Sequence, residues 1–317
     1  MEGSGELKVL YDGDPGIDDA LAILLASRME DAELIGVTTV AGNCSAVQAA
    51  RNALNILERV AGRPEVPVAV GAVKPLLRGF KPSYEIHGSD GLGETHLPDP
   101  AIKPSRVHGV DMILEAAREL GDELTLVTGG PLTNLALAVA KDPSMSSLLK
   151  RVVVMGGCIR SPGNATAASE FNVYHDPEAA KIVFNSGLPI TLVSLDVTAR
   201  KENLIRRTDL KALKKRGDAA HETVYRMLSY YVEAYRRYRF MDGCYLHDPL
   251  AMLIALEPRL LMDAERIHVD VETVGELTLG RTQADLRRNP SKPPNVVHCL
   301  RVDYGEAHSL FRRLIFE

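Results

Sequence analysis

With 317 residues, 45% hydrophobic and 25% charged, the chain has the composition of an ordinary globular protein that can bury a large core. A net charge of −5 without a basic stripe argues against a nucleic-acid partner, and no apolar run is long enough for a membrane span. The cysteines Cys44, Cys158, Cys244 and Cys299 lack disulfide or metal spacing and read as reduced thiols of a cytoplasmic protein; the short polar start, Met1 to Glu6, does not read as a signal peptide.

Short β-branched runs alternate with amphipathic patterns from the start, which predicts an α/β fold with a mostly parallel sheet. Leu7 to Tyr11 reads as a strand, Ile17 to Ser27 as a helix and Leu34 to Val40 as a buried strand. A helix follows in which Val47, Ala50, Leu54, Leu57 and Val60 share one face, then a strand at Val66 to Val70. Periodicity vanishes from Lys74 to Arg106, and an irregular run of that length inside a domain points to a functional loop. Regularity returns with a helix at Val110 to Leu120, a strand at Glu123 to Val127, a helix after Pro131 and a strand at Arg151 to Met155. A Gly-rich loop runs through Asn172, and the next helix has Asp176 as N-cap, Pro177 in its first turn and Gly187 as its stop. Pro189 to Leu195 reads as a strand ending in Asp196, 205–257 as helical, Ile267 to Val302 as strands with a hairpin-like turn, and Tyr304 to Phe316 as a closing helix. No repeat or linker interrupts this, so a single domain over 1–317 is expected.

The chemistry concentrates at strand ends. Asp12, Asp14, Asp18 and Asp19 place four carboxylates within eight residues after the first strand, where open α/β sheets put their ligands. Asp18 and Asp19 fall in the first turn of a helix, but the dipole favours each charge by only ~0.3–1 kcal/mol. A hard cation held by oxygen, calcium or magnesium, would resolve the repulsion that remains. Other strand ends carry Asn43, the Thr128-Gly129-Gly130 turn, then Asn164, Thr166, Glu170 and Asn172, and His247-Asp248-Pro249. Singly these are turn and cap residues. Together they make a ring of hydroxyl-reading groups around a carboxylate cluster, which suits a sugar.

Asp12-x-Asp14-Pro15-Gly16-x-Asp18-Asp19-Ala20 resembles the N-terminal signature of the inosine–uridine preferring nucleoside hydrolases. In the order that family shows, the chain also carries Ala41-Gly42-Asn43, Gly130-Pro131-Leu132-Thr133-Asn134, Met155-Gly156-Gly157, Gly163-Asn164-x-Thr166, Glu170-Phe171-Asn172, Asp176-Pro177-Glu178-Ala179-Ala180 and His247-Asp248-Pro249. The resemblance implies a single Rossmann-like α/β domain, assembled as a homodimer or homotetramer, that hydrolyses ribonucleosides to ribose and free base with a calcium-bound water. It implies one Ca²⁺ per chain, held by Asp14, Asp19, Asp248 and a backbone carbonyl aligned to Thr128. Asp18, Asn43 and Asn172 would read the ribose diol, Asn164 and Glu170 would hold the 5′-hydroxyl, and Met155 would pack under the sugar. Asp12 matches the motif but is assigned a supporting place.

Cleaving an N-riboside builds positive charge on the sugar, which nearby carboxylates favour, and Asp14 is placed to accept the proton of the attacking water. His247, next to Asp248, is the candidate acid for the leaving base. His87 lies in the irregular stretch, near 76–106, that matches the family's mobile active-site loop. Six of the ten tyrosines fall from Tyr225 to Tyr245, and Tyr231, Tyr235 and Tyr238 share one face of a helical segment near 219–246. Tyr235 and Tyr238 are therefore expected to contact the nucleobase. The family's purine-specific branch uses tryptophan sandwiches, and this chain has no Trp, so a pyrimidine or broad inosine/uridine-type preference is expected. A haloacid dehalogenase-type phosphohydrolase also starts with strand–Asp-x-Asp, but it expects Thr or Val where Gly16 stands and has no place for the Asp18-Asp19 pair. A non-catalytic ribose-binding protein would keep Asn164, Glu170 and Asn172 without needing Asp14 or His247.

Overall fold

A computed structural model describes residues 6–317 of the chain, so the reading of the first five residues lies outside it. Strands β1 (Leu7–Gly13), β2 (Ala32–Thr39), β3 (Val68–Val70), β4 (Leu124–Thr128), β5 (Arg151–Met155) and β6 (Ile190–Val193) form one sheet. Their spatial order is β3-β2-β1-β4-β5-β6, continued by Val296–Val302 and then Leu261–Ile267. Every pairing is parallel except that of the last two strands. The expected mostly parallel α/β sheet is present. Chain order reverses at β1, between β2 and β4, and the crevice beyond that switch point is where such sheets bind ligands.

Alternation fixes the two faces of the sheet. Val9, Tyr11, Val127 and Val153 enter one core, while Leu10, Leu126, Val152 and Val154 enter the other. Helix Ile17–Arg28 is buried from Ile17 through Ser27, polar residues included. It is apolar on all sides because helices His247–Leu256 and Tyr304–Phe316 pack on it. Its buried first turn is therefore a dry place to hold Asp18 and Asp19.

Four elements differ from expectation. Val47 is 63% exposed at the open start of helix Ala46–Asn55, whose buried face runs through Ala46, Ala49, Ala50 and Ala53. The stretch 205–257 is not helical throughout: Leu204–Ile205 pairs antiparallel with Cys244–Tyr245, and helices Lys211–Arg216 and Ala219–Arg239 end at left-handed Gly217 and Phe240. The C-terminal strands begin at Leu261, because an edge strand with exposed Met262 and Asp263 lacks a clean apolar alternation. Glu170 caps a short helix, Phe171–His175, inside the Gly-rich loop.

The irregular stretch is knit by side chains. Asp90 accepts from the backbone of Leu92 (2.8 Å), Glu94 (2.9 Å) and His96 (2.8 Å), and Glu94 accepts from Ser89. Glu94 and His96 take left-handed φ values of 56° and 48° to close this knot. Arg226, from helix Ala219–Arg239, donates to the carbonyl of Thr95 (3.0 Å).

Candidate active site

Asp14, Asp18 and Asp19 leave the end of β1, Thr128 ends β4, Met155 ends β5, and Asp248 opens helix His247–Leu256. All six are buried. Carboxylate oxygens of Asp18, Asp19 and Asp248 lie within 4.8 Å of one another. Asp19 is the best satisfied: Oδ1 accepts from Tyr11 Oη (2.8 Å) and the Asp14 amide (3.1 Å), Oδ2 from the Gly16 amide (3.0 Å) and Asn43 Nδ2 (3.2 Å). Asp14 accepts the Asn43 amide at 2.5 Å through Oδ2. Asp14 Oδ1 and Asp18 Oδ1, by contrast, are buried with no hydrogen-bond partner among the described residues.

Burial, more than mutual repulsion, pushes these groups toward protonation. Asp18 is raised to about 7 by desolvation and then by Asp19. Asp14 and Asp248 are raised well above the carboxylate range by the same two causes, with Asp18 ahead of Asp19 in the repulsion felt by Asp248. Unpartnered oxygens in a dry, multiply anionic pocket fit a hard divalent cation. The backbone is shaped for the same purpose, since a Cβ at Gly42 or Gly130 would strike Asp14, and one at Gly129 would strike Tyr11 Oη.

Asp12 is part of the scaffold. Its Oδ1 accepts from Thr38 Oγ1 (2.6 Å) and Asn134 Nδ2 (2.7 Å), and Asn134 also ties Thr39 and Ala72, joining β1, β2 and the chain after β3.

Around the carboxylates, one cavity is lined by Asp18, Asn43, His87, Met155, Asn164, Glu170, Asn172, Tyr231, Tyr235, Arg239, His247 and Asp248, together with Ser83, Ile86, Gly129 and Phe171. The structure thus brings together the sugar- and base-facing residues singled out in the sequence except Thr166 and, more notably, Tyr238. That side chain is 44% exposed at the end of its helix and outside this lining. Asn172 Nδ2 donates to the Gly129 carbonyl (2.7 Å), binding the β4 turn to the β5 loop. Glu170 accepts from the amides of Gly157 (2.9 Å), Asn172 (2.9 Å) and Val173 (3.1 Å), so it caps a helix while facing the cavity. Asn164 Oδ1 accepts the Phe171 amide (2.8 Å), which fixes its amide group beside Glu170.

Two buried histidines, His87 and His247, line the cavity. His87 Nδ1 accepts the Ile17 amide (3.1 Å), so the ring's proton sits on Nε2. Although Asp18 Oδ1 is 3.9 Å away, burial and then His247 lower His87 to about 3, so the two do not form an ion pair. His247 is also lowered to about 3, by burial and then by Arg239. Its Nδ1 lies 2.9 Å from Thr198 Oγ1 and its Nε2 3.1 Å from Tyr235 Oη. Tyr231 donates to Asp18 Oδ2 (3.1 Å) and stands edge-on to Tyr235.

Sequence reasoning missed Arg239 and Thr198. Arg239 is four residues beyond Tyr235, on the same helical face, so the spacing carried a signal for it. Thr198 carried none, because only the fold sets it against His247.

A carboxylate nest at the switch point of a Rossmann-like sheet, ringed by amides and closed by histidines and tyrosines, defines a site for hydrolysing an N-riboside. The profile of the inosine-uridine preferring nucleoside hydrolase family matches residues 9–309, and the chain belongs to that family. It is accordingly a ribonucleoside hydrolase, an N-glycosidase. It is 36% identical over 312 residues to the pyrimidine-specific ribonucleoside hydrolase RihA of Citrobacter koseri, covering 98% of each chain. Among solved structures, the purine-preferring ribonucleoside hydrolase of Gardnerella vaginalis superposes with a TM-score of 0.92 at 34% identity over 98% of both chains. A plant nucleoside hydrolase superposes with a TM-score of 0.91 at 33% identity, over 98% of this chain and 99% of its own.

Proposed function

We propose that this enzyme accepts pyrimidine nucleosides and a broader inosine/uridine-type range, and that Asp14 and His247 divide the chemistry between sugar and base. The observation that carries the division is spatial: buried Asp14 Oδ1 has no hydrogen-bond partner among the described residues and feels the charges of Asp19 and Asp18, while His247 lines the cavity beside Tyr235. The relatives' names point both ways on the base, one pyrimidine-specific and one purine-preferring, and a wall of tyrosines without tryptophan supports breadth.

Asp14, Asp19, Asp248 and the Thr128 carbonyl would hold one calcium ion, with Asp18 as a further oxygen donor or reader of the diol. A calcium ion there supplies the positive charge that grips the ribose diol and makes a nearby water more acidic. Asn43 and Asn172 meet the diol from either side, Asn164 and Glu170 meet the 5′-hydroxyl, and Met155 gives the sugar an apolar floor. As the C1′–N bond breaks, its electron pair moves to the base nitrogen. Water adds to C1′ and gives a proton to Asp14. His247 places an N–H against the departing base, which completes its protonation from solvent, and Asp14 returns its own proton there. His87 faces the same space from the irregular stretch.

Four buried, unpaired cysteines support a reducing, cytoplasmic setting, and no helix among the described residues is long and apolar enough to cross a membrane. Exposed Val274 and Leu277 support assembly as a homodimer or homotetramer. The decisive experiment is base release from uridine, cytidine and inosine, with and without chelator. Turnover of none of them, with calcium present, would overturn the reading.

A further inference from the structure

We propose that Thr198 is a positioning residue for His247: its hydroxyl donates to Nδ1 and so turns an Nε2–H toward the nucleobase. The inference rests on the reading of His247 given above.

Three observations carry it. First, Thr198 is wholly buried at the end of the short helix Leu195–Thr198 after β6, and its Oγ1 lies 2.9 Å from His247 Nδ1. That imidazole nitrogen is the hydroxyl's one hydrogen-bond partner among the described residues. A buried hydroxyl that donates to nothing is costly, so the proton lies on the oxygen and points at Nδ1. The neutral ring then carries its hydrogen on Nε2, the nitrogen beside Tyr235 Oη at the cavity.

Second, the contact is held by a separate clamp. Asn203 is buried, and its Nδ2 donates to both the Thr198 carbonyl (2.9 Å) and the Leu246 carbonyl (3.0 Å). The Leu246 amide returns a bond to the Asn203 carbonyl (3.3 Å). One side-chain amide thus fixes the separation between residue 198 and the residue preceding His247.

Third, the ring's other polar contact, Nε2 to Tyr235 Oη at 3.1 Å, is to a hydroxyl that can donate or accept, so it does not choose the tautomer. Tyr245 packs against the ring at 5.6 Å between centroids, a contact indifferent to which edge holds nitrogen. Without the Thr198 hydroxyl, Tyr235 Oη could as well donate to Nε2, and the tautomer would be free. This is the orienting role of a third group behind an acid or base, filled here by a hydroxyl.

The test compares Thr198→Val, Thr198→Ser and His247→Ala on uridine and on p-nitrophenyl riboside, whose leaving group needs little help. A net hydrogen bond of ordinary strength predicts that Thr198→Val lowers kcat on uridine by about tenfold. Its KM and its rate on p-nitrophenyl riboside should stay near the parent values, and Thr198→Ser should recover most of the loss. Two-bond ¹H–¹⁵N spectra of ¹⁵N-histidine protein should show the Nε2–H tautomer for His247 in the parent and Ser variants and a changed ratio in the Val variant. If His247→Ala cripples uridine hydrolysis while Thr198→Val does not, the inference about Thr198 falls and that about His247 stands. Full uridine turnover by His247→Ala overturns both. Equal loss on the two substrates by Thr198→Val, or no recovery with Ser, means that the threonine only packs. Should Thr198→Val fail to fold, Thr198→Ser and the parent spectrum still decide: an Nδ1–H tautomer in the parent refutes the proposal.

Discussion

Replacing Gly42 by alanine tests the site through a residue that performs no chemistry. The Cβ would overlap Asp14 Oδ2 and lie 2.7 Å from Asp14 Cγ and 2.8 Å from Pro131 Cδ, whereas packed carbons rest about 3.5–4.0 Å apart. Pro131 is locked in the turn after β4, so the Asp14 carboxylate must retreat by about 1 Å. Gly42 is not among the positive-φ residues, so the backbone accepts alanine and the penalty is steric. Overpacking of this kind costs roughly 1–3 kcal/mol of stability, which leaves the protein folded. Displacing a catalytic group by 1 Å costs on the order of 10²-fold in rate. Steady-state uridine hydrolysis by Gly42→Ala should therefore fall about 10²-fold in kcat/KM, with thermal melting confirming a folded protein. A folded variant within threefold of the parent would show that the position of Asp14 does not control turnover.

Exhaustive chelation should abolish turnover and calcium restore it, as followed by base release with elemental analysis; full activity without a divalent ion would remove the metal from the reading. Calcium affinity should weaken as pH falls through 7, because Asp18, raised to about 7 by burial, then takes a proton that competes with the ion; calorimetric titration at several pH values measures this. Asp12 is also raised to about 7, chiefly by burial. Its folded value lies above its unfolded one, so the stabilisation it gives to the ion-free protein is full below pH 4 and is lost as pH rises through 7. Asp12→Asn should flatten that part of the stability–pH curve, as chemical denaturation would show. If the cavity pairs its polar groups with a vicinal diol as proposed, 2′-deoxyuridine should be a poorer substrate than uridine by ~10⁴-fold or more; comparable kcat/KM would refute that pairing.

Much of this site was legible because its chemistry clusters in sequence. Asp14, Asp18 and Asp19 stand within six positions, and a strand that feeds a helix delivers them together to one sheet end. Asn43, Asn172 and Asp248 lie far apart in the chain, but each follows a strand or opens a helix, and strand ends converge by topology. The parallel sheet was readable from its β-branched runs. The edge strand Leu261–Ile267 was not, because one partner and an open flank leave it little apolar pattern. Tyr238 shows the limit of helical periodicity. It shares a face with Tyr231, but the stripe that lines the cavity runs through Tyr231, Tyr235 and Arg239 in four-residue steps and drifts round the helix away from Tyr238, which meets solvent. Thr198 lay beyond reach because its only signal is a distance.

The knot around Asp90 separates irregularity of shape from irregularity in time. Three backbone amides, those of Leu92, Glu94 and His96, hang from this one carboxylate, close in sequence to His87, which lines the cavity. All three amides are freed together when the carboxylate lets go, a route to exchange that they share. The segment therefore has a unit of motion larger than any of its parts. The rate at which those three protons exchange together would serve as a clock for how often the knot comes undone.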